Sequence, residues 1–110
     1  MGFKSDLEAV VLGTLQGEGL HGYEISKRIS NKSDGLLKIG EGQLYPTLHR
    51  LEEQGFVTSE WIGQEGRPPR KVYSLTKAGL DELVEKKKGW EQFARGIGAI
   101  MSHPKEALDG

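Results

Sequence analysis

Residues 41–55, EGQLYPTLHRLEEQG, constrain this chain more than any other stretch. Leu44, Leu48 and Leu51 recur at i, i+4 and i+7, which gives a short helix one apolar side. Gly55 supplies a stop. Gly42 and Pro46 bracket the first turn, where missing backbone donors are tolerated. The opposite face carries Gln43, Thr47 and Arg50, with Tyr45, Pro46 and His49 beside them. Amide, hydroxyl and guanidinium side chains are those that hydrogen-bond base edges or phosphates in a major groove. Any surface helix is polar outside, so the neighbouring segments decide the reading.

With 110 residues the chain can bury one modest core, which bounds it to one small domain. A hydrophobic share of 35% against 28% charged residues places it among soluble globular chains. No run approaches the roughly 18 apolar residues that cross a bilayer, so no membrane partner is expected. Acidic residues interrupt the first segment, MGFKSDLEAVV, which does not read as a secretory leader. Cysteine is absent, so neither a disulfide framework nor a thiolate metal site is available, and the expected compartment is the cytoplasm.

A net charge of −1 argues against the bulk basicity of a histone-like binder, but its distribution matters more. Segment 52–66 holds Glu52, Glu53, Glu60 and Glu65 and no cation, whereas 67–75 holds Arg67, Arg70 and Lys71 and no carboxylate. A local cationic footprint of that kind suffices for a small DNA binder, and equally suits an ordinary solvated surface.

Ser5 and Glu8 have capping-box spacing ahead of Leu7, Val10, Val11, Leu12 and Leu15, predicting a mostly buried helix over 5–16. A second helix is predicted over 22–31, with Tyr23, Ile25 and Ile29 apolar and Glu24, Lys27 and Arg28 outward. The apolar run 36–39 lies between glycines and suits a brief strand. Residues 57–64, VTSEWIGQ, favour strand by β-branched and aromatic content. Segment 65–69, with Pro68-Pro69, reads as turn or loop, and KVYSL at 71–75 as a second strand. Thr76 can cap a long last helix over 77–101, and the tail from Ser102 is expected to fray.

Three helices, a hairpin and a further helix make a winged helix-turn-helix layout, mainly α with a small β-hairpin, in which the hairpin is the wing. The corresponding organisation is a DNA-binding region at 1–75, a dimerisation helix at 76–101 and a flexible tail at 102–110.

The runs HGYEI at 21–25, GQLYPTLHRLEEQGF at 42–56 and RKVYSLTKAG at 70–79 closely resemble PadR-like transcriptional regulators. The single C-terminal helix is similar to the compact branch of that family. The resemblance implies a homodimeric repressor of double-stranded DNA, its last helices packed together with help from the first. It also implies, for some compact members, a small planar aromatic effector sensed at a tryptophan on the last helix, the place where Trp90 falls here.

On this reading Gln43 and Thr47 meet base edges, and Arg50 a base or a phosphate of a pseudo-palindromic operator. Tyr45 either donates to a phosphate or, with Pro46, packs the third helix on the second. Arg67 and Arg70 at the wing reach flanking phosphates. Lys71 does so too or sits in the strand, and Lys27 is a further phosphate candidate. On the last helix Leu83, Trp90, Ala94, Ile97 and Met101, with Leu7 from the first, form the expected dimer seam; Trp90 and Phe93 hold an effector or are dimer core. Gly89, Gly96 and Gly98 each cost about 1 kcal/mol relative to alanine in that helix.

Enzyme chemistry finds no foothold. His21, His49 and His103 are scattered without metal-ligand spacing, Gly40-Glu41-Gly42 has no third glycine, and no nucleophile elbow occurs. His21 and His49 read as surface or capping residues, and no cofactor is expected. Two alternatives stay open: a winged helix used for protein contact through its acidic 52–66 segment, and a constitutive DNA binder with no effector.

Overall fold

The computed structural model describes residues 3–102, with side chains from Leu7 onward, so the tail expectation for 103–110 lies outside the described residues. In chain order the elements are α1 (Phe3–Thr14), β1 (Leu20–His21), α2 (Gly22–Lys32), α3 (Glu41–Glu53), β2 (Val57–Gln64), β3 (Arg67–Leu75) and α4 (Lys77–Met101). The strands form an antiparallel sheet of order β1-β3-β2.

One core ties these elements together. Val11 and Leu12 of α1, with Leu15 just after it, meet Ile25 and Ile29 of α2 and Leu44, Leu48 and Leu51 of α3. Val57, Tyr73 and Leu83 close it from the sheet and α4. Each fully buried leucine or isoleucine contributes roughly 1.5–3 kcal/mol relative to exposure, so the α3 stripe alone fixes which way that helix faces. Its end is a Schellman motif: Gly55 has φ 81, its N–H donates to Glu52 O, and Phe56 N–H donates to Leu51 O at 2.9 Å.

Several expectations are corrected. Helix α1 begins at Phe3, which puts Ser5 inside the helix and not at its cap. Helix α3 begins at Glu41, so Pro46 lies past the first turn. The proline removes the bond that would reach the Gly42 carbonyl, and both residues are exposed, where that carbonyl can bind water. Residues 36–39 form no strand. Leu36 is 85% exposed, and the loop is held by Ser33, whose hydroxyl accepts from Leu37 N–H at 2.9 Å. The third strand is Leu20–His21, paired with Tyr73 and Val72 of β3. Tyr23, expected among the apolar residues of α2, is 70% exposed.

The wing is longer than predicted. Strand β3 starts at Arg67 and runs through Pro68-Pro69, leaving Glu65-Gly66 as a two-residue turn with Gly66 at φ 71. Prolines fit because β1 covers β3 only at Val72 and Tyr73, and the β2 register shifts between Ile62 and Gln64 opposite them.

Helix α4 matches its predicted span. The Thr76 hydroxyl accepts from Gly79 N–H at 3.0 Å and donates to Gly55 O at 2.6 Å. Gly79 lies so close to the Phe56 carbonyl that any Cβ there would overlap it. Leu83 packs toward α1, and from Trp90 to Met101 every residue is exposed. The helix stays continuous through Gly89, Gly96 and Gly98. No helix among the described residues is long and apolar enough to cross a membrane.

Candidate nucleic-acid interface

Helix α3 turns Gln43, Tyr45, Pro46 and His49 outward, while its leucines hold it to the core. Tyr45 does two things at once. Its phenol lies where a side chain on Gly22 would have to go, so it packs α3 on α2, yet much of its ring remains exposed.

Thr47, expected at a base edge, does not fit, and Arg50 is held partly inward with 35% of its side chain exposed. Thr47 is 0% exposed, its hydroxyl donating to Gln43 O at 2.8 Å and accepting from Arg50 Nη2 at 3.2 Å. A buried, fully engaged hydroxyl cannot reach a base edge. Arg50 is drawn inward as well: its Nε lies 3.6 Å from a Glu8 carboxylate oxygen, and Lys86 Nζ lies 3.6 Å from the other oxygen. The Glu8 side chain is only 15% exposed, and a carboxylate in that setting requires cations beside it. Arg50 Nε is buried without a hydrogen-bond partner.

On the wing, Arg67 and Arg70 are exposed. Lys71 is half-buried in the strand, its Nζ 6.0 Å from the Trp61 ring and 5.6 Å from the Tyr73 ring. On α2, Lys27 is free at the surface, whereas Arg28 is spent on Glu18 at 2.7 Å.

A residue weighed only as surface or cap turns out to be central. His21 Nδ1 accepts from Glu24 N–H at 3.4 Å, and the Glu24 carboxylate accepts from His21 N–H at 3.1 Å, completing a capping box for α2. Its Nε2 lies 2.7 Å from Arg70 Nη1, and its ring stacks on Tyr23 at 6.3 Å. Two clefts meet at this histidine. One of about 530 Å³ runs between α2 and the wing past Lys27 and Arg70; the other, about 620 Å³, runs toward Tyr45 and Trp61. The spacing His21-x-x-Glu24 ahead of α2 is the sequence sign of the cap; nothing local announces the Arg70 contact, which spans 49 positions.

The second candidate region is α4. Trp90 and Phe93 meet edge to face at 5.6 Å and both remain partly exposed, as are Ala94, Ile97 and Met101. Leu7 and Leu83, expected in the dimer seam, are each 8% exposed because they pack against the chain's own helices, which leaves little of either for a second copy. Trp90 borders a hollow of about 330 Å³ that also touches Leu7, Val10, Leu37 and Gln43. No group of His, Asp or Glu among the described residues could hold a metal ion.

An outward-facing second helix in a helix-turn-helix, followed by a cationic hairpin, defines the winged helix-turn-helix class. Within that class, the model of the PadR-like family of transcriptional regulators matches residues 11–85, and the chain belongs to this family. It is 37% identical over 84 residues to a transcriptional regulator of Mycobacterium tuberculosis, covering 76% of this chain and 75% of that one. A solved transcriptional regulator from Clostridium thermocellum superposes with a TM-score of 0.79 at 32% identity, over 87% of this chain and 90% of the other. Bacillus subtilis PadR, solved in complex with operator DNA, superposes with a TM-score of 0.67 at 26% identity, over 90% of this chain and 50% of that one. The family is one of transcriptional regulators, not of enzymes.

Proposed function

We propose that the chain is a cytoplasmic homodimeric repressor that reads a pseudo-palindromic operator and is released by a small planar ligand. The observation that carries the DNA reading is a shared face: Lys27 of α2, Tyr45 of α3 and Arg70 of the wing border clefts that meet at His21. Helix α3 then enters a major groove with Gln43 and Pro46 toward the bases, and Gln43 can pair bidentately with adenine. Tyr45, Lys27, Arg67 and Arg70 take phosphates, which fix position without reading sequence. Thr47 and Arg50 brace the helix from behind, and Lys71 stays with Trp61 and Tyr73. The operator-bound neighbour supports this use of the fold, and a negative regulator of Bacillus subtilis, 31% identical over 77 residues, supports repression.

Dimerisation rests on α4. A helix that exposes Trp90, Phe93, Ile97, Ile100 and Met101 leaves more apolar surface than a lone soluble helix keeps. Release by a ligand rests on the hollow beside Trp90, because an occupant there touches Gln43 of α3. Such a ligand weakens DNA binding only by preferring the arrangement that does not bind.

The test is selection of genomic fragments by the purified protein, followed by footprinting across a salt series. An inverted repeat with half-sites about 34–36 Å apart and a steep salt slope is expected. Absence of any enriched fragment at low salt sinks the DNA reading in favour of protein contact.

A further inference from the structure

His21 faces a conflict that its own chemistry cannot resolve. A neutral imidazole has one N–H and one lone pair. Two donors converge on this ring: Glu24 N–H at 3.4 Å from Nδ1 and Arg70 Nη1 at 2.7 Å from Nε2. With the lone pair on Nε2, Arg70 is served and the Nδ1 proton meets the Glu24 amide. With the lone pair on Nδ1, the cap is served and the Nε2 proton has Glu24 Oε1 at 3.3 Å, but it also confronts the guanidinium at 2.7 Å. The shorter contact favours Arg70 as the partner. In that tautomer the free chain holds Arg70 against an imidazole lone pair.

The surroundings are mixed in charge. From α2, Glu24 Oε1 lies 3.3 Å from Nε2, Lys27 is exposed alongside, and Arg28 is neutralised by Glu18. From β3 come Arg70 and, on the other face of the strand with Trp61 and Tyr73, Lys71. From β2, Glu60 shares the cross-strand row of Val72 and His21. Protonating His21 in the free chain removes its single lone pair and sets a second positive charge beside Arg70, with only Glu24 Oε1, 3.3 Å away, to take the Nε2 proton. A phosphodiester in the cleft between α2 and the wing reverses that balance. Its oxygens accept from Arg70 and from the Nε2–H, and its charge favours the imidazolium.

We propose that His21, with Arg70 and Lys27, seats a DNA phosphodiester between α2 and the wing, and that seating it draws a proton onto His21. Operator binding accordingly strengthens as pH falls. The inference rests on the DNA-binding reading above and adds to it a histidine and a proton.

The test uses the full chain and the operator duplex recovered by selection. Affinity is measured from pH 8 to pH 6 for the wild type and for His21→Asn, which keeps an oxygen acceptor for the Glu24 amide and does not titrate. The two proteins differ at residue 21 alone, so the difference in slope belongs to His21. The wild type is expected to gain at least about threefold more than the variant, within the limit of about tenfold per pH unit set by one proton. Calorimetry in two buffers of unequal ionisation heat counts the same proton directly. Equal slopes and equal proton counts overturn the linkage while leaving DNA binding intact. Failure of both proteins to hold any duplex at any pH overturns the DNA reading and this inference with it.

Discussion

Replacing Thr47 with valine separates a bracing role from a reading role. The substitution keeps shape and branching, and the two residues have similar helix propensity, so the backbone has no reason to move. Three things change. The bond to Gln43 O is lost, but that carbonyl retains its own helical partner. A buried methyl replaces a buried hydroxyl, which recovers part of the loss. The Arg50 Nη2 donor, 3.2 Å from the Thr47 oxygen, is left facing carbon next to an Nε that already lacks a hydrogen bond. Hydrogen bonds to charged groups contribute about 1.5–3 kcal/mol, and with the methyl offset a loss of about 1–2 kcal/mol is expected. At roughly 4–8 °C per kcal/mol for a domain of this size, Tm falls by about 5–15 °C. Thermal melts at fixed protein concentration read it, since association shifts Tm with concentration. Gln43→Ala is the contrast: Tm barely moves, while specific affinity drops by about 1–3 kcal/mol with selectivity relaxed at one base. An unchanged melt for Thr47→Val, together with lost selectivity at a defined base pair, would refute the inward assignment of Thr47.

Other perturbations probe the remaining contacts. Gly79→Ala drives a methyl into the Phe56 carbonyl and should cost about 3 kcal/mol or more, seen as a lowered urea midpoint. Arg67→Ala should weaken binding to all duplexes alike and reduce the salt slope by about one phosphate contact; an unchanged slope removes the wing tip from the interface. Ile97→Asp on the exposed stretch of α4 should convert a dimer to monomers in sedimentation without unfolding the DNA-binding region, and a retained dimer would place the contact elsewhere.

Much of this fold was legible because local chemistry and global packing agree. The leucines of α3, Gly55 after it, the β-branched run of β2 and Thr76 before α4 each state their element in a few residues. Thr47 was misread as an outward residue: Leu44, Thr47, Leu48 and Leu51 stand at i, i+3, i+4 and i+7, and a hydroxyl at the i+3 place hid a core position. What was not legible depends on partners far along the chain. Strand β1 is two residues long and exists because Val72 and Tyr73 of β3 present an edge. The run 36–39 is apolar without an edge to join, so it stays a loop. Pro68-Pro69 read as a break because the sequence does not tell that one side of β3 goes uncovered there. Arg50 reads as an outward cation until Glu8 of α1 is placed behind it.

The joint between α3 and α4 has a mechanical meaning. Thr76 N–H donates to Phe56 O, the Thr76 hydroxyl donates to Gly55 O, and Gly79 rests directly on the Phe56 carbonyl. These three stitches lock the end of α3 to the root of α4, a helix that extends about 37 Å. The root cannot swivel without carrying α3 along. In a pair of chains joined through α4, each protomer is then one arm of a caliper. In the proposed dimer the pivot would lie among the distal residues of α4 and the tips would be the two α3 helices, so a slight change of angle at the pivot would reset the gap between them.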